Sequence, residues 1–217
     1  MTHPGPAQPS FTVLLVCTGN ICRSALAERL GRAFLQEVMG ERADAVRLVS
    51  AGTRAVVDSA MHPDSALVLR GFGAEAGDFR ARQFEERMAA DADLVLTMTR
   101  SHRRDVLHYA PRALSRTFTL REAADLVAQL GDNLAGDDFP ERARGLVKAM
   151  AAGRSHRDSG DADDVRDPIG RPIEVHEEVG ELIVSSLLPV LRALASLDTP
   201  GTDGAATAKS SGAPSSS

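Results

Sequence analysis

The chain has 217 residues, 43% apolar and 25% charged, with a formal net charge of −5. This is enough apolar material for one ordinary domain, and it argues against a chain that is disordered throughout. The acidic balance argues against sequence-independent nucleic-acid binding. Two cysteines support neither a disulfide scaffold nor a cysteine-rich zinc module, and no apolar run reads as long enough to span a bilayer.

Residues 1–10, with three prolines, read as a flexible leader without the basic and apolar regions of a secretory signal. Phe11–Val16 reads as a buried strand, and Ser24–Met39 as a helix with a stripe at Leu26, Leu30, Phe34 and Val38. Val46–Val49 is a second short strand. Pro63 opens a helix that stops near Gly71 and Gly73. A helical stretch over 83–90 precedes a third strand, Leu94–Met98. A polar helix follows over Arg100–Tyr109, then a fourth strand over Arg116–Leu120. Arg121–Leu130 reads as a helix capped by Gly131, and Glu141–Ala152 as another. Residues 153–166, almost all charged or small, read as a solvated loop, with Asp161–Asp164 an exposed acidic run. The long closing helix covers Val175–Leu194, with Pro189 a point where it could kink. Residues 197–217 have the composition of a disordered tail. The domain is therefore expected over 11–196, and the alternation of strands and helices predicts an α/β sandwich with a mainly parallel sheet.

Chemistry concentrates in the segment that joins the first strand to the first helix. Cys17-Thr18-Gly19-Asn20-Ile21-Cys22-Arg23-Ser24 runs from a strand end into a helix N-terminus. Such a loop points backbone N–H groups inward and binds a phosphate-like dianion. Gly19 is expected to supply conformations that a Cβ would forbid. The fork of Arg23 can hold two oxygens of a transferring phosphoryl group. The same field favours the thiolate of Cys17, placed in line with a bound phosphorus. A bare Cys-x5-Arg would equally suit two small buried thiols in a turn. The preceding strand, the Gly-Asn pair, the following serine and the amphipathic helix together favour the phosphate reading. The loop lacks the Gly-Lys-Ser/Thr of nucleotide-binding P-loops. The six histidines are scattered without ligand spacing and are expected at the surface, as is the basic cluster Arg100, Arg103 and Arg104.

Residues 13–28, Val-Leu-Leu-Val-Cys-Thr-Gly-Asn-Ile-Cys-Arg-Ser-Ala-Leu-Ala-Glu, resemble the signature of the low-molecular-weight protein tyrosine phosphatase family. Ser50-Ala51-Gly52-Thr53, Arg80-Ala81-Arg82-Gln83 and Asp167-Pro168 resemble further motifs of that family, in its order. The resemblance implies a flavodoxin-like three-layer sandwich with a four-stranded parallel sheet, and a two-step mechanism without metal or other cofactor. It assigns Cys17 as nucleophile, Arg23 as phosphoryl clamp and Asp167 as general acid and then base. Thr18, Gly19, Asn20, Ile21, Cys22 and Ser24 would form the substrate-binding loop, with Ser24 on the thiolate and Asn20 and Ser50 holding the loop in shape. The implied partner is a phosphorylated protein; composition alone leads to the expectation of a cytoplasmic protein with no nucleic-acid and no membrane partner.

The chain also departs from that pattern. The interval between Cys17 and Asp167 is long for a compact member, and the excess falls within 131–166 as an insertion. Aromatic residues are absent after Asp167-Pro168 and near Val56, where a ring slot would stand. A protein arginine phosphatase, an arsenate reductase using an external thiol, and a non-catalytic phosphate-binding module are the alternatives. The relatives that hydrolyse phosphoarginine carry threonine at the position of Ile21.

Overall fold

The computed structural model describes residues 11–130 and 136–198. The readings of a leader at 1–10, the Gly131 cap and nearly all of the tail lie outside them. Four parallel strands stand in the order β2-β1-β3-β4, with β1 Phe11–Cys17, β2 Val46–Gly52, β3 Leu94–Thr97 and β4 Thr117–Thr119. Helices α1 Arg23–Met39, α2 Pro63–Gly71, α3 Glu86–Asp91, α4 Arg100–Tyr109, α5 Leu120–Ala128, α6 Phe139–Gly153 and α7 Ile173–Ser196 complete it. The strand order is that of a flavodoxin-like sheet.

β1 is apolar at nearly every position because both of its faces are covered. Val13, Leu15 and Cys17 point into the larger core with α1, α5, α6 and α7, while Leu14 and Val16 point into a smaller core with α3 and α4. Two glycines admit the closest approaches. A Cβ on Gly31 would lie 2.6 Å from Leu48 and 3.1 Å from Leu191, so α1 seats against β2 and α7 only without one. A Cβ on Gly52 would lie 2.4 Å from the Thr18 carbonyl oxygen, so the end of β2 can lie beside the loop that follows β1.

Several expectations need correction. The stripe on α1 closes with Leu35 and Met39, not Val38, which is exposed, because the helix turns its last residues onto β2 and α7. The helix expected over 83–90 begins only at Glu86, since Gln83 bridges to Gly52 as a short extension of the sheet. The stretch 153–166 is more than a solvated loop. It contains two single 3-10 turns, Val165 is fully buried, and Asp163 is buried against Arg157. α7 is long and apolar enough to cross a membrane by length and composition, against the sequence reading; here it is a core helix, with nine buried residues and contacts to α1, α2 and α5. It continues through Pro189.

Candidate active site

The carboxyl ends of β1, β2 and β3 meet where strand order reverses on either side of β1, the usual position of a ligand crevice in an open α/β sheet. Cys17 is the last residue of β1, in register with Gly52. A cleft of about 380 Å³ is lined by Cys17, Thr18, Gly19, Ile21, Cys22, Arg23, Arg54, Val56, Asp167 and Ile169. Three of the sequence-selected residues, Asn20, Ser24 and Ser50, lie beneath it and are fully buried.

Those three make a directed hydrogen-bond chain. The Asn20 side-chain carbonyl accepts from the Arg82 backbone N–H at 2.9 Å, which fixes the amide so that its two N–H bonds point away from Arg82. One donates to Ser24 Oγ at 2.9 Å and the other to Ser50 Oγ at 2.8 Å. Ser50 in turn donates to Glu28 Oε2 at 2.6 Å. Ser24, already accepting from Asn20, can donate its own proton to Cys17 Sγ, 2.9 Å away. Glu28 is fully buried in α1 and paired with Arg32 at 2.7 Å. Asn20 also takes the left-handed backbone, with φ +55°. Gly19 was expected to supply that conformation, but its φ is ordinary and an added Cβ would meet nothing closer than 3.5 Å. Asparagine tolerates this region better than most residues, so one side chain serves both the turn and the network.

Arg23 opens α1 and is almost fully buried. Its Nη1 donates to the Val165 carbonyl at 3.0 Å, and its Nη2 to Asp167 Oδ2 at 2.6 Å. Its Nε is buried without a hydrogen-bond partner among the described residues. Asp167 is half exposed, and its other oxygen accepts from the Ile169 N–H at 3.2 Å. Asp167 and Arg23, 144 positions apart, are thus brought into contact beside the Val165 backbone, whose N–H donates to the Met98 carbonyl just after β3.

Two histidines contradict the surface expectation. His102 is buried beside the loop, with Nε2 2.8 Å from Thr18 Oγ1 and Nδ1 2.9 Å from Thr99 Oγ1. Burial, then the Arg23 charge, push it down to about 4, so it is neutral near pH 7. His176, in the first turns of α7, is buried against His62 and is also held below the usual imidazole range, by burial first and then by His62. Burial pushes the Cys22 thiol up to about 11, with the Ser65 hydroxyl opposing it. Sequence periodicity carried no signal for these residues, because each is buried by a different element of the fold. Nor is the arginine cluster free: Arg100 pairs with Asp161 and Asp164, and Arg103 with Glu122 at 3.6 Å. Arg54 and Val56, which were not selected as site residues, stand on the cleft wall because the Arg54 and Val56 N–H groups bond the Thr18 and Gly19 carbonyls. The Arg80–Gln83 motif serves the same wall: Gln83 accepts from the Ala55 N–H and donates to the Thr53 carbonyl.

The family model described as low molecular weight phosphotyrosine protein phosphatase matches residues 12–133. Among similar proteins, a putative low molecular weight protein-tyrosine-phosphatase of Klebsiella pneumoniae is 34% identical over 106 residues, covering 49% of this chain and 68% of that one. The low molecular weight protein-tyrosine-phosphatase Etp of Escherichia coli K12 is 34% identical over 112 residues, covering 51% and 70%. Among solved structures, the low molecular weight protein tyrosine phosphatase from T. tengcongensis superposes with a TM-score of 0.61 at 27% identity, over 84% of this chain and 98% of that one. The YwlE arginine phosphatase from Geobacillus stearothermophilus does so with a TM-score of 0.60 at 25% identity, over 84% and 91%.

Proposed function

We infer the roles of single residues from one premise: the chain belongs to the low molecular weight phosphotyrosine protein phosphatase family and is a cysteine-based phosphotyrosine phosphatase. The observation that carries the assignment is the convergence of Cys17, the inward loop and Arg23 on one cleft, with Asp167 on its rim. Cys17 as thiolate attacks phosphorus, and the bond to the tyrosine oxygen breaks as Asp167 delivers its proton to that oxygen. Water then attacks the phosphocysteine. Asp167 takes its proton, the P–S bond breaks, and phosphate and thiolate are released. The Ser24 hydroxyl supports the thiolate as it leaves. The loop N–H groups and Arg23 hold the equatorial oxygens, whose charge grows in the transition state. Arg23 Nη2 is engaged by Asp167, so that carboxylate must swing aside when a phosphoryl oxygen takes its place.

The substrate is a phosphorylated protein. The cleft offers aliphatic walls, Ile21, Val56 and Ile169, and one cation besides Arg23, Arg54. A flat phenyl ring packs against these walls. A guanidinium would leave its N–H groups unmatched there, since Ile21 has no acceptor. This favours phosphotyrosine over phosphoarginine, with modest affinity because no aromatic side chain among the described residues lines the cleft. A free catalytic thiolate also suits a reducing compartment, so we assign the protein to the cytoplasm. The region 131–166 is read as an addition ahead of the acid segment.

The test is turnover of para-nitrophenyl phosphate and of phosphotyrosine and phosphoarginine peptides in the presence of a chelator, with acid-quenched intact mass. Wild type should give a phosphorylated intermediate on Cys17. Cys17→Ser should lose at least roughly 10⁴-fold in kcat while still binding oxyanions. Substantial turnover by that variant overturns the mechanism. A kcat/KM for phosphoarginine protein above that for every phosphotyrosine peptide overturns the substrate choice, and Ile21→Thr should move the preference that way.

A further inference from the structure

At the phosphate loop, where α1, α2 and α7 begin, three ligating side chains from three separate elements come together. Cys22 precedes α1, His62 precedes α2, and His176 lies near the start of α7. The Cys22 sulfur and one ring nitrogen from each histidine lie within 4.8 Å of one another. The two imidazoles are stacked, with centroids 4.9 Å apart and planes at 18°. His176 is 1% exposed, and its Nδ1 is 3.1 Å from Ser65 Oγ. Its Nε2 has no hydrogen-bond partner among the described residues, and neither has His62 Nδ1, which is also buried. Both nitrogens face one carboxylate oxygen, Asp64 Oδ2, at 3.9 and 3.8 Å. A buried, unpaired ring nitrogen is costly, and two of them converging beside a thiol make an unusual core contact.

We propose that Cys22, His62 and His176 form a binding site for a thiophilic divalent cation of the zinc class, with Asp64 supplying further negative charge. One thiolate and two neutral imidazoles are a donor set suited to zinc. Tetrahedral zinc, with Zn–S near 2.3 Å and Zn–N near 2.0–2.1 Å, needs an S···N separation of roughly 3.5 Å. That distance is reached by small side-chain rotations within the present cluster. The Ser65 hydroxyl on Nδ1 of His176 orients the ring and leaves Nε2 for the ion, the arrangement in which an outer hydrogen bond fixes a ligating histidine. On binding, the Cys22 S–H bond breaks, the sulfur bonds the cation and the proton leaves to solvent; nothing is oxidised or reduced.

The position gives the ion a consequence. Cys22 belongs to the loop that carries Cys17, and the His62 N–H donates to the Ile21 carbonyl at 2.8 Å. His176 lies nine positions after Asp167, in the first turn of the helix that follows the acid segment. A bound ion fastens the loop, α2 and α7 together and restrains the swing of Asp167 away from Arg23. Turnover should fall. Only this last step rests on the phosphatase reading; the site itself does not.

The test uses the full chain, stripped of metal and titrated with Co²⁺ as the spectroscopic probe, followed by Zn²⁺. One equivalent of Co²⁺ should produce a thiolate-to-cobalt charge-transfer band that one equivalent of Zn²⁺ removes. Cys22→Ser should abolish the band, while Cys17→Ser should keep it. His62→Ala, at the more exposed edge of the cluster, should weaken Co²⁺ binding by about tenfold or more, with unchanged metal-free turnover and circular dichroism. That variant keeps the test decisive if Cys22→Ser fails to fold. A band that is lost in Cys17→Ser, full-affinity binding by His62→Ala, or no stoichiometric binding by wild type overturns the site. Binding that leaves turnover unchanged overturns the restraint on Asp167.

Discussion

The two halves of the cleft are held in different ways. The loop after β1 rests on buried hydrogen bonds: Asn20 to Ser24 and Ser50, Ser50 to Glu28, and the Thr53, Arg54 and Val56 N–H groups to the Cys17, Thr18 and Gly19 carbonyls. The segment 161–171, which carries Asp167, rests on three buried residues, Asp163, Val165 and Pro168, on one backbone bond to Met98 just after β3, and on ion pairs. Arg100 holds Asp161 and Asp164, Arg157 holds Asp163, Arg166 holds Glu178, and Arg23 holds Asp167 itself. Burial would raise the Asp163 carboxyl, but the Arg157 guanidinium, the Ser159 hydroxyl and the Gly160 N–H outweigh it and hold it low. Short-range buried bonds set a geometry once and keep it, which suits groups that must be preorganised around phosphorus. Ion pairs at a partly exposed surface exchange partners at little cost and weaken with salt, which suits the proposed movement of Asp167 off Arg23.

The sharpest test of this contrast is Asp167→Asn. With poor leaving groups the loss in kcat should reach about 10²–10⁴-fold, and it should shrink with activated aryl phosphates that need little protonation. Equal losses across a leaving-group series would take the acid role from Asp167 and from its segment.

A second test uses pH on the rigid half. His102 sits near 4 in the folded chain, against an ordinary value near 6.5, because burial disfavours its charged form. Between those values the unfolded chain binds more protons, so folding stability rises with pH and is lost as pH falls from 6.5 toward 4. The loss attributable to His102 is as much as about 3 kcal/mol. His176, shifted down as well, adds in the same direction. Denaturation midpoints from pH 7 to 4 should show this slope, and it should be flatter in His102→Gln. An equal slope in that variant would remove His102 from the balance.

Asn20 separates backbone from side chain within the loop. Asn20→Ala should cost about 2 kcal/mol or more, since it strands Ser24, Ser50 and the Arg82 N–H in the core and places alanine in the left-handed region. Asn20→Gly should recover about 1 kcal/mol of that by relieving φ while leaving the lost hydrogen bonds unrecovered. Equal stabilities would mean that the backbone conformation carries no strain. The smallest effect should come from the acid segment: Arg100→Gln should leave the melting temperature nearly unchanged and make kcat less dependent on ionic strength. A large fall in melting temperature would mean that the segment is as rigidly held as the loop.

Much of this molecule was readable from the order of residues. The central strand, the phosphate loop and α1 are continuous in the chain, so an apolar β-branched run ending in Cys-Thr-Gly-Asn-Ile-Cys-Arg-Ser declares its geometry locally. α4 is bounded at Arg100 and Tyr109 as its pattern predicts. Local pattern could not assign the left-handed turn between Gly19 and Asn20, because the choice depends on Arg82, 62 positions away, holding the asparagine amide. Nor could it foresee that Asp163 and Asp164 of the acidic run are drawn inward by Arg157 and Arg100, or that histidines as distant as 62 and 176 stack beside Cys22. The physical reason is common to these cases. Hydrophobic periodicity and turn chemistry act between near neighbours, whereas the partners of a buried polar group are chosen by whichever strands and helices the fold packs together.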